Sequence, residues 1–204
     1  MLGHPRCVGV LWKVSDLGST LWFDSRRSGK RSKRHPENFT KRGMQTFMRI
    51  LNAHEYYESR ETRSIAHGLK TGNLEALRKA SESMACLVDS SCVLVPVPSH
   101  RGYATTTLDL ADMIALRTGA KVADILKGKH RESLYNLKLK GNRVNSDMLG
   151  LWLDGNRPNG RIIVVDNVIA TGTTARAVDM TLLGCEFLVW AIDTNTLKAI
   201  RKTC

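Results

Sequence analysis

The stretch Arg161-Ile162-Ile163-Val164-Val165-Asp166-Asn167-Val168-Ile169-Ala170-Thr171-Gly172-Thr173-Thr174-Ala175-Arg176-Ala177 decides the reading of this chain. The unbroken β-branched run Ile162 to Val165 suits a strand covered on both faces, as in a parallel sheet. Such a strand delivers Asp166 to its carboxyl end, where open α/β sheets bind ligands. A loop follows, and a helix is predicted from about Thr173 to Leu183, closed by Gly184. Gly172 lets backbone approach a ligand closely. Thr171, Thr173 and Thr174 set hydroxyls beside the free N–H groups at the positive end of a helix. A plain strand–turn–helix needs one capping Thr. Three around a Gly, after an Asp that ends a buried strand, read as a phosphate cradle with a carboxylate beside it for sugar hydroxyls.

Elements of the same kind lie on either side. Phe187 to Ile192 is a further apolar strand, and Cys92 to Pro96 a buried one that runs into the loop Pro96-Val97-Pro98-Ser99-His100-Arg101-Gly102. Tyr103 to Arg117 has Ala104, Leu108, Ala111 and Ala115 on one helical face and ends at Gly119. Leu74 to Val88 is a second helix, with Asn73 as its N-cap. Met44 to Tyr57 is read as a helix from Phe47, Met48, Ile50 and Leu51, and Ser64 to Leu69 as a short one. Lys121 to Leu126 reads as a short strand. Lys127 to Asn145 reads as a long polar loop, and loops of that length in a compact domain are usually functional. Strands alternating with helices imply an α/β fold.

The chain has 204 residues, 42% hydrophobic and 25% charged, with net charge +12. That is enough for one domain with a sizeable core. The basic surplus favours anionic partners without choosing among them. Residues 1–43 carry ten Lys/Arg and three Asp/Glu, so +7 of the +12. They are expected to form a basic, unstructured arm, with the domain occupying 44–204. The arm is either a solvated tail or a weak nucleic-acid contact through residues 26–42, and Met44 is an alternative start of translation. The five cysteines show no C-x-x-C pair and are odd in number. They read as thiols of a reducing, cytoplasmic setting rather than a disulfide framework or zinc site. The apolar stretch Cys7 to Trp12, cut by Lys13, is too short for a membrane span or signal peptide. No P-loop, H-E-x-x-H or G-x-S-x-G motif is present.

The segment Ile163 to Thr174 closely resembles the motif with which type I phosphoribosyltransferases bind 5-phosphoribosyl-1-diphosphate (PRPP). The resemblance implies the fold of that family: a mostly parallel central sheet flanked by helices, with a small hood and a flexible loop. It implies that Asp166 and Asn167 face the ribose hydroxyls and that Ala170, Thr171, Gly172, Thr173 and Thr174 hold the 5-phosphate. The family has an acid where this chain has Asn167, which can hydrogen-bond a hydroxyl but carries no charge. Ser99, His100, Arg101 and Gly102 stand where the family has its pyrophosphate loop. Val95-Pro96-Val97-Pro98 and Ile65-Ala66-His67-Gly68-Leu69-Lys70 look most like the ComF-like (competence protein) branch, without its zinc cluster. The resemblance covers roughly residues 60–195.

By the same resemblance Lys127 to Asn145 is the loop that closes over PRPP. It offers Lys127, Lys129, His130, Arg131, Lys138, Lys140 and Arg143, and Arg131 joins Asp166 and Asn167 as the catalytic candidates. The implied activity is Mg²⁺-dependent transfer of the phosphoribosyl group to a nitrogen acceptor of nucleobase type. No metal ligands are assigned to the protein itself, no membrane is involved, and a homodimer is compatible with the family. The alternative is a non-catalytic PRPP- or nucleotide-binding regulator or DNA-uptake accessory.

Overall fold

A computed structural model describes residues 8–13, 47–142, 144–196 and 198. The strands are β1 (Val8–Lys13), β2 (Phe47–Glu55), β3 (Cys92–Pro96), β4 (Lys121–Val122), β5 (Leu126–Lys127), β6 (Trp152–Leu153), β7 (Arg161–Ile169) and β8 (Glu186–Ile192). The helices are α1 (Arg60–Thr71), α2 (Leu74–Ala85), α3 (Thr106–Thr118), α4 (Leu134–Leu139) and α5 (Thr173–Thr181). The main sheet has the order β1-β2-β8-β7-β3-β4. Its last five strands run parallel, and β1 pairs antiparallel with β2. This is the α/β architecture expected from the sequence, a mostly parallel sheet flanked by helices, and it is consistent with the type I phosphoribosyltransferase fold. β5 and β6 pair antiparallel in a separate small sheet.

Alternation along the central strands explains the two-faced burial. Ile162 and Val164 of β7 and Phe187 and Val189 of β8 join one core, with Ala175 and Val178 of α5. Ile163, Val165, Leu188 and Trp190 join the other, beneath α1, α2 and α3. With period two and both faces covered, every position from Ile162 to Val165 must be apolar, and all four are at most 2% exposed. The helices are held by local chemistry. Ser59 accepts from the Thr62 N–H at 2.9 Å at the start of α1, and Asn73 accepts from the Ala76 N–H at 3.0 Å at the start of α2. Among the described residues no helix is long and apolar enough to cross a membrane.

Several expectations need correction. The segment around Phe47 to Glu55 is strand β2, not a helix. Ile50 and Leu51 are adjacent and both buried, which a strand between two layers achieves and a one-sided helix does not. Val8–Lys13, assigned from composition to an arm outside the fold, pairs along the free edge of β2; the charged run of the arm, including residues 26–42, lies outside the described residues. Helix α1 is twice the expected length. The region 121–127 supplies two strands to two different sheets, and the polar loop contains α4. Finally, β7 continues to Ile169, so Asp166 stands inside the strand rather than at its end.

Candidate functional site

The parallel strands do not end level, and the step between them creates the site. β3 pairs with β7 only as far as Pro96 opposite Val165, whereas β8 accompanies β7 to Ile169 opposite Ile192. Asp166 and Asn167 therefore emerge where the β3 side of β7 has lost its neighbour. Asp166 continues the row of Ile162 and Val164, and Asn167 continues that of Ile163 and Val165.

Two cavities open at this step. The first, about 290 Å³, is lined by Asp166, the loop from Ala170 to Thr174, Leu134 and Lys70. Gly172 is the N-cap of α5 with φ of 74°, and as a glycine it offers the first N–H groups of the helix no side-chain cap of its own. The left-handed backbone there is one that glycine adopts at no steric cost. It turns the start of α5 toward the cavity, with the Thr171 and Thr173 hydroxyls 3.1 Å apart beside it. Hydroxyl donors and open helix N–H groups are what a phosphate requires.

The second cavity, about 560 Å³, is lined by Ser99, His100, Arg101, Thr105, Thr106, Thr107, Asn167, Asp166 and Lys70, among others. It too contains a helix start without a side-chain cap, that of α3 at Thr105. The Thr107 hydroxyl donates to the Val97 carbonyl at 2.6 Å and fixes that helix against the end of β3. The loop between them is tight: Ser99 N donates to the Tyr103 carbonyl at 2.9 Å and Gly102 N to the Ser99 carbonyl at 3.1 Å.

Electrostatics set Asp166 apart. Desolvation pushes its carboxyl up from 3.8 to about 6, against the lowering effects of the Asn167 N–H and of Lys70. The Asn167 N–H donates to Asp166 Oδ1 at 2.7 Å. Asn167 is 9% exposed, and its own Oδ1 has no hydrogen-bond partner. A buried carbonyl oxygen without a donor is costly unless a ligand supplies one.

The structure thus brings together Asp166, Asn167, Ala170, Thr171, Gly172, Thr173, Thr174, Ser99, His100 and Arg101 around two adjoining cavities. Gly102 does not line them; it shapes the loop, with φ of 93° and a position where a Cβ would meet the Gly128 carbonyl oxygen at 2.3 Å. Arg131 also stands aside. Its N–H donates to the His100 carbonyl at 2.9 Å, and its guanidinium reaches the Glu132 carbonyl at 3.3 Å. Of the other loop cations, Lys127 pairs with Asp124 at 2.6 Å and Lys140 with Glu132 at 2.7 Å. The Lys138 side chain and Arg143 lie outside the described residues. Asp193 caps the turn after β8 by accepting from the N–H groups of Asn195 and Thr196. Trp190 is a core residue whose Nε1–H donates to the Thr62 carbonyl at 3.0 Å.

Sequence reasoning missed Lys70, Leu134 and Thr105–Thr107 as site residues. The threonines carried a signal: like Thr171–Thr174, they are hydroxyls at the start of a helix that follows a buried strand. Lys70 looked like any lysine in the last turn of an amphipathic helix.

No protein-family model matches the chain. Among curated proteins, an adenine phosphoribosyltransferase from Rhodopirellula baltica (strain DSM 10527 / NCIMB 13988 / SH1) is 31% identical over 124 residues, covering 56% of this chain and 57% of that protein. The chain thus spans a little over half the length of the relative it matches.

Proposed function

We propose that the chain binds PRPP and transfers its phosphoribosyl group to a nitrogen acceptor of the nucleobase class. One observation carries this reading. Two cavities, each with an uncapped helix start, flank a single carboxylate that lines both. That arrangement suits a molecule with a phosphate at one end, a diphosphate at the other and hydroxyls between them. The 31% identity to a protein named as an adenine phosphoribosyltransferase supports the same reading.

In this reading Thr171–Thr174 and the start of α5 hold the 5-phosphate, and Ser99, His100 and Arg101 with the start of α3 hold the diphosphate. Asp166 and the orphaned Asn167 oxygen accept from the ribose hydroxyls. The C1–oxygen bond breaks, diphosphate leaves with the electron pair, and an acceptor nitrogen forms the new C1–N bond and loses its proton. The protein's share is positioning and charge stabilisation.

Among the described residues no group of three or more His, Cys, Asp or Glu is placed to hold a metal. Mg²⁺ carried in on diphosphate and ribose oxygens would need no ligand set from the protein, since magnesium takes oxygen ligands and retains waters, and the Asp166 carboxylate is the acid at hand to face it. Bound there, the ion would offset charge on the departing diphosphate. The ComF-like affinity, a cytoplasmic setting and a homodimer belong to the proposal.

The test is calorimetric titration of PRPP with Mg²⁺ into the chain and into Asp166→Ala, followed by diphosphate release with a panel of nucleobases, adenine first. We expect Asp166→Ala to weaken binding by roughly 100-fold, as loss of a charged acceptor does. Unchanged binding by Asp166→Ala would sink the reading. A second reading is favoured by Asn167, which leaves one acid where the family has two: a PRPP-binding regulator that does not turn over. Binding without diphosphate release from any acceptor would select it.

A further inference from the structure

The two cavities are lined by different loops, but among the described residues two side chains line both: Asp166 and Lys70. The first cavity has hydroxyls and helix N–H groups for an anion, yet Lys70 is its single Lys, Arg or His. The second has His100 and Arg101 in addition. Lys70 is exposed and, among the described residues, forms no ion pair or hydrogen bond. Its backbone is nevertheless firmly mounted. It sits in the last turn of α1, which closes on Gly72 with φ of 72° and an N–H bonded to the Gly68 and Leu69 carbonyls. Asn73 N donates to the Gly68 carbonyl at 2.9 Å. Gly68 lies so close to α2 that a Cβ there would meet Ala76 Cβ at 2.6 Å. The helix end is thus fixed, and the ammonium, without a hydrogen bond or contact ion pair among the described residues, stands at the junction near enough to Asp166 to favour its charge.

We propose that Lys70 is the substrate cation shared by both lobes, reaching phosphoryl oxygens of PRPP from between them and supplying the formal positive charge of the 5-phosphate side. This rests on the PRPP reading. A lysine in a last turn also complements the negative end of its own helix, and that role alone would involve no ligand. The two roles differ in what they do to half-ligands. A cation shared by both lobes serves ribose 5-phosphate and inorganic diphosphate alike, whereas Arg101 serves the diphosphate lobe only.

The experiment is titration of the full chain with PRPP, ribose 5-phosphate and inorganic diphosphate, as wild type, Lys70→Met, Lys70→Arg and Arg101→Ala. Lys70→Met should weaken both half-ligands by about tenfold each, the usual consequence of losing one charge-assisted hydrogen bond. Lys70→Arg should recover most of that loss, and Arg101→Ala should weaken diphosphate alone. Ribose 5-phosphate bound by Lys70→Met as tightly as by wild type overturns the proposal, as does a loss confined to diphosphate. Wild type that binds none of the three ligands overturns the PRPP reading itself, and the assignment of Lys70 with it.

Discussion

Asp166 is where function and stability pull apart. Its carboxyl in the fold titrates near 6 instead of 3.8, because burial penalises the charge more than the Asn167 N–H and Lys70 favour it. A carboxyl raised in the folded state holds its proton more tightly there than in the unfolded chain. Ionising it therefore costs stability: nothing below about pH 4, progressively more through about pH 6, and the full amount above that. Asp166→Asn removes this penalty while keeping the shape. The expected result is a chain with a higher Tm than wild type at about pH 8, an equal Tm at about pH 4, and greatly weakened PRPP binding. Thermal melts of both proteins across that range check it, and an Asn variant less stable at the alkaline end would show that the carboxylate is compensated in the empty site. The neighbouring Asn167 oxygen, buried without a donor, points the same way. Both groups are poorly served by the unliganded fold, as expected where a ligand completes the bonding.

At the scale of elements, the loop after β3 works because it is braced from behind. Gly102 accepts from the Gly128 N–H at 2.9 Å, and Arg131 N bonds the His100 carbonyl at the same distance. The 128–131 backbone therefore holds the shape that Ser99, His100 and Arg101 present to the second cavity. Gly102→Ala would drive a Cβ into the Gly128 carbonyl oxygen and strain a left-handed φ as well. We expect a cost of about 1–3 kcal/mol, seen as a Tm lower by several degrees, and a loss of diphosphate affinity greater than that of ribose 5-phosphate. Equal losses for both ligands would argue that the loop does not serve one end alone.

The same elements show what a sequence discloses. β7, its loop and α5 were readable because β-branched run, glycine and threonines act through near neighbours. Asn73 and Gly119 were readable as caps for the same reason. β2 was not: a strand between two helical layers loses its alternation, and Phe47, Met48, Ile50 and Leu51 then imitate a helical spacing. Lys70 was not, because its meaning depends on a helix end arriving beside a strand far along the chain. Nor was the step between β3 and β8, which is a property of register rather than of any residue type.

Across the whole molecule, charge is unevenly spread along the chain. Residues 1–43 carry +7 and the remaining chain +5. The proposed binding site draws on the second group, through Lys70 and Arg101, and on two helix dipoles. Charges separated by more than about 8–10 Å of water are largely screened at physiological salt. If the site is self-sufficient, changing Arg26, Arg27, Lys30, Arg31, Lys33, Arg34, Lys41 and Arg42 together to Gln leaves PRPP binding and turnover within about twofold at that ionic strength. This variant retains Val8–Lys13 and so keeps the edge of β2 paired, which a simple truncation would not. Binding of single- or double-stranded nucleic acid by the wild type, if it occurs, should fall steeply with salt and vanish in the variant. Turnover that collapses with the arm's charge would instead make the arm part of the active site. Nucleic-acid binding that survives would move that contact onto the α/β body and its +5.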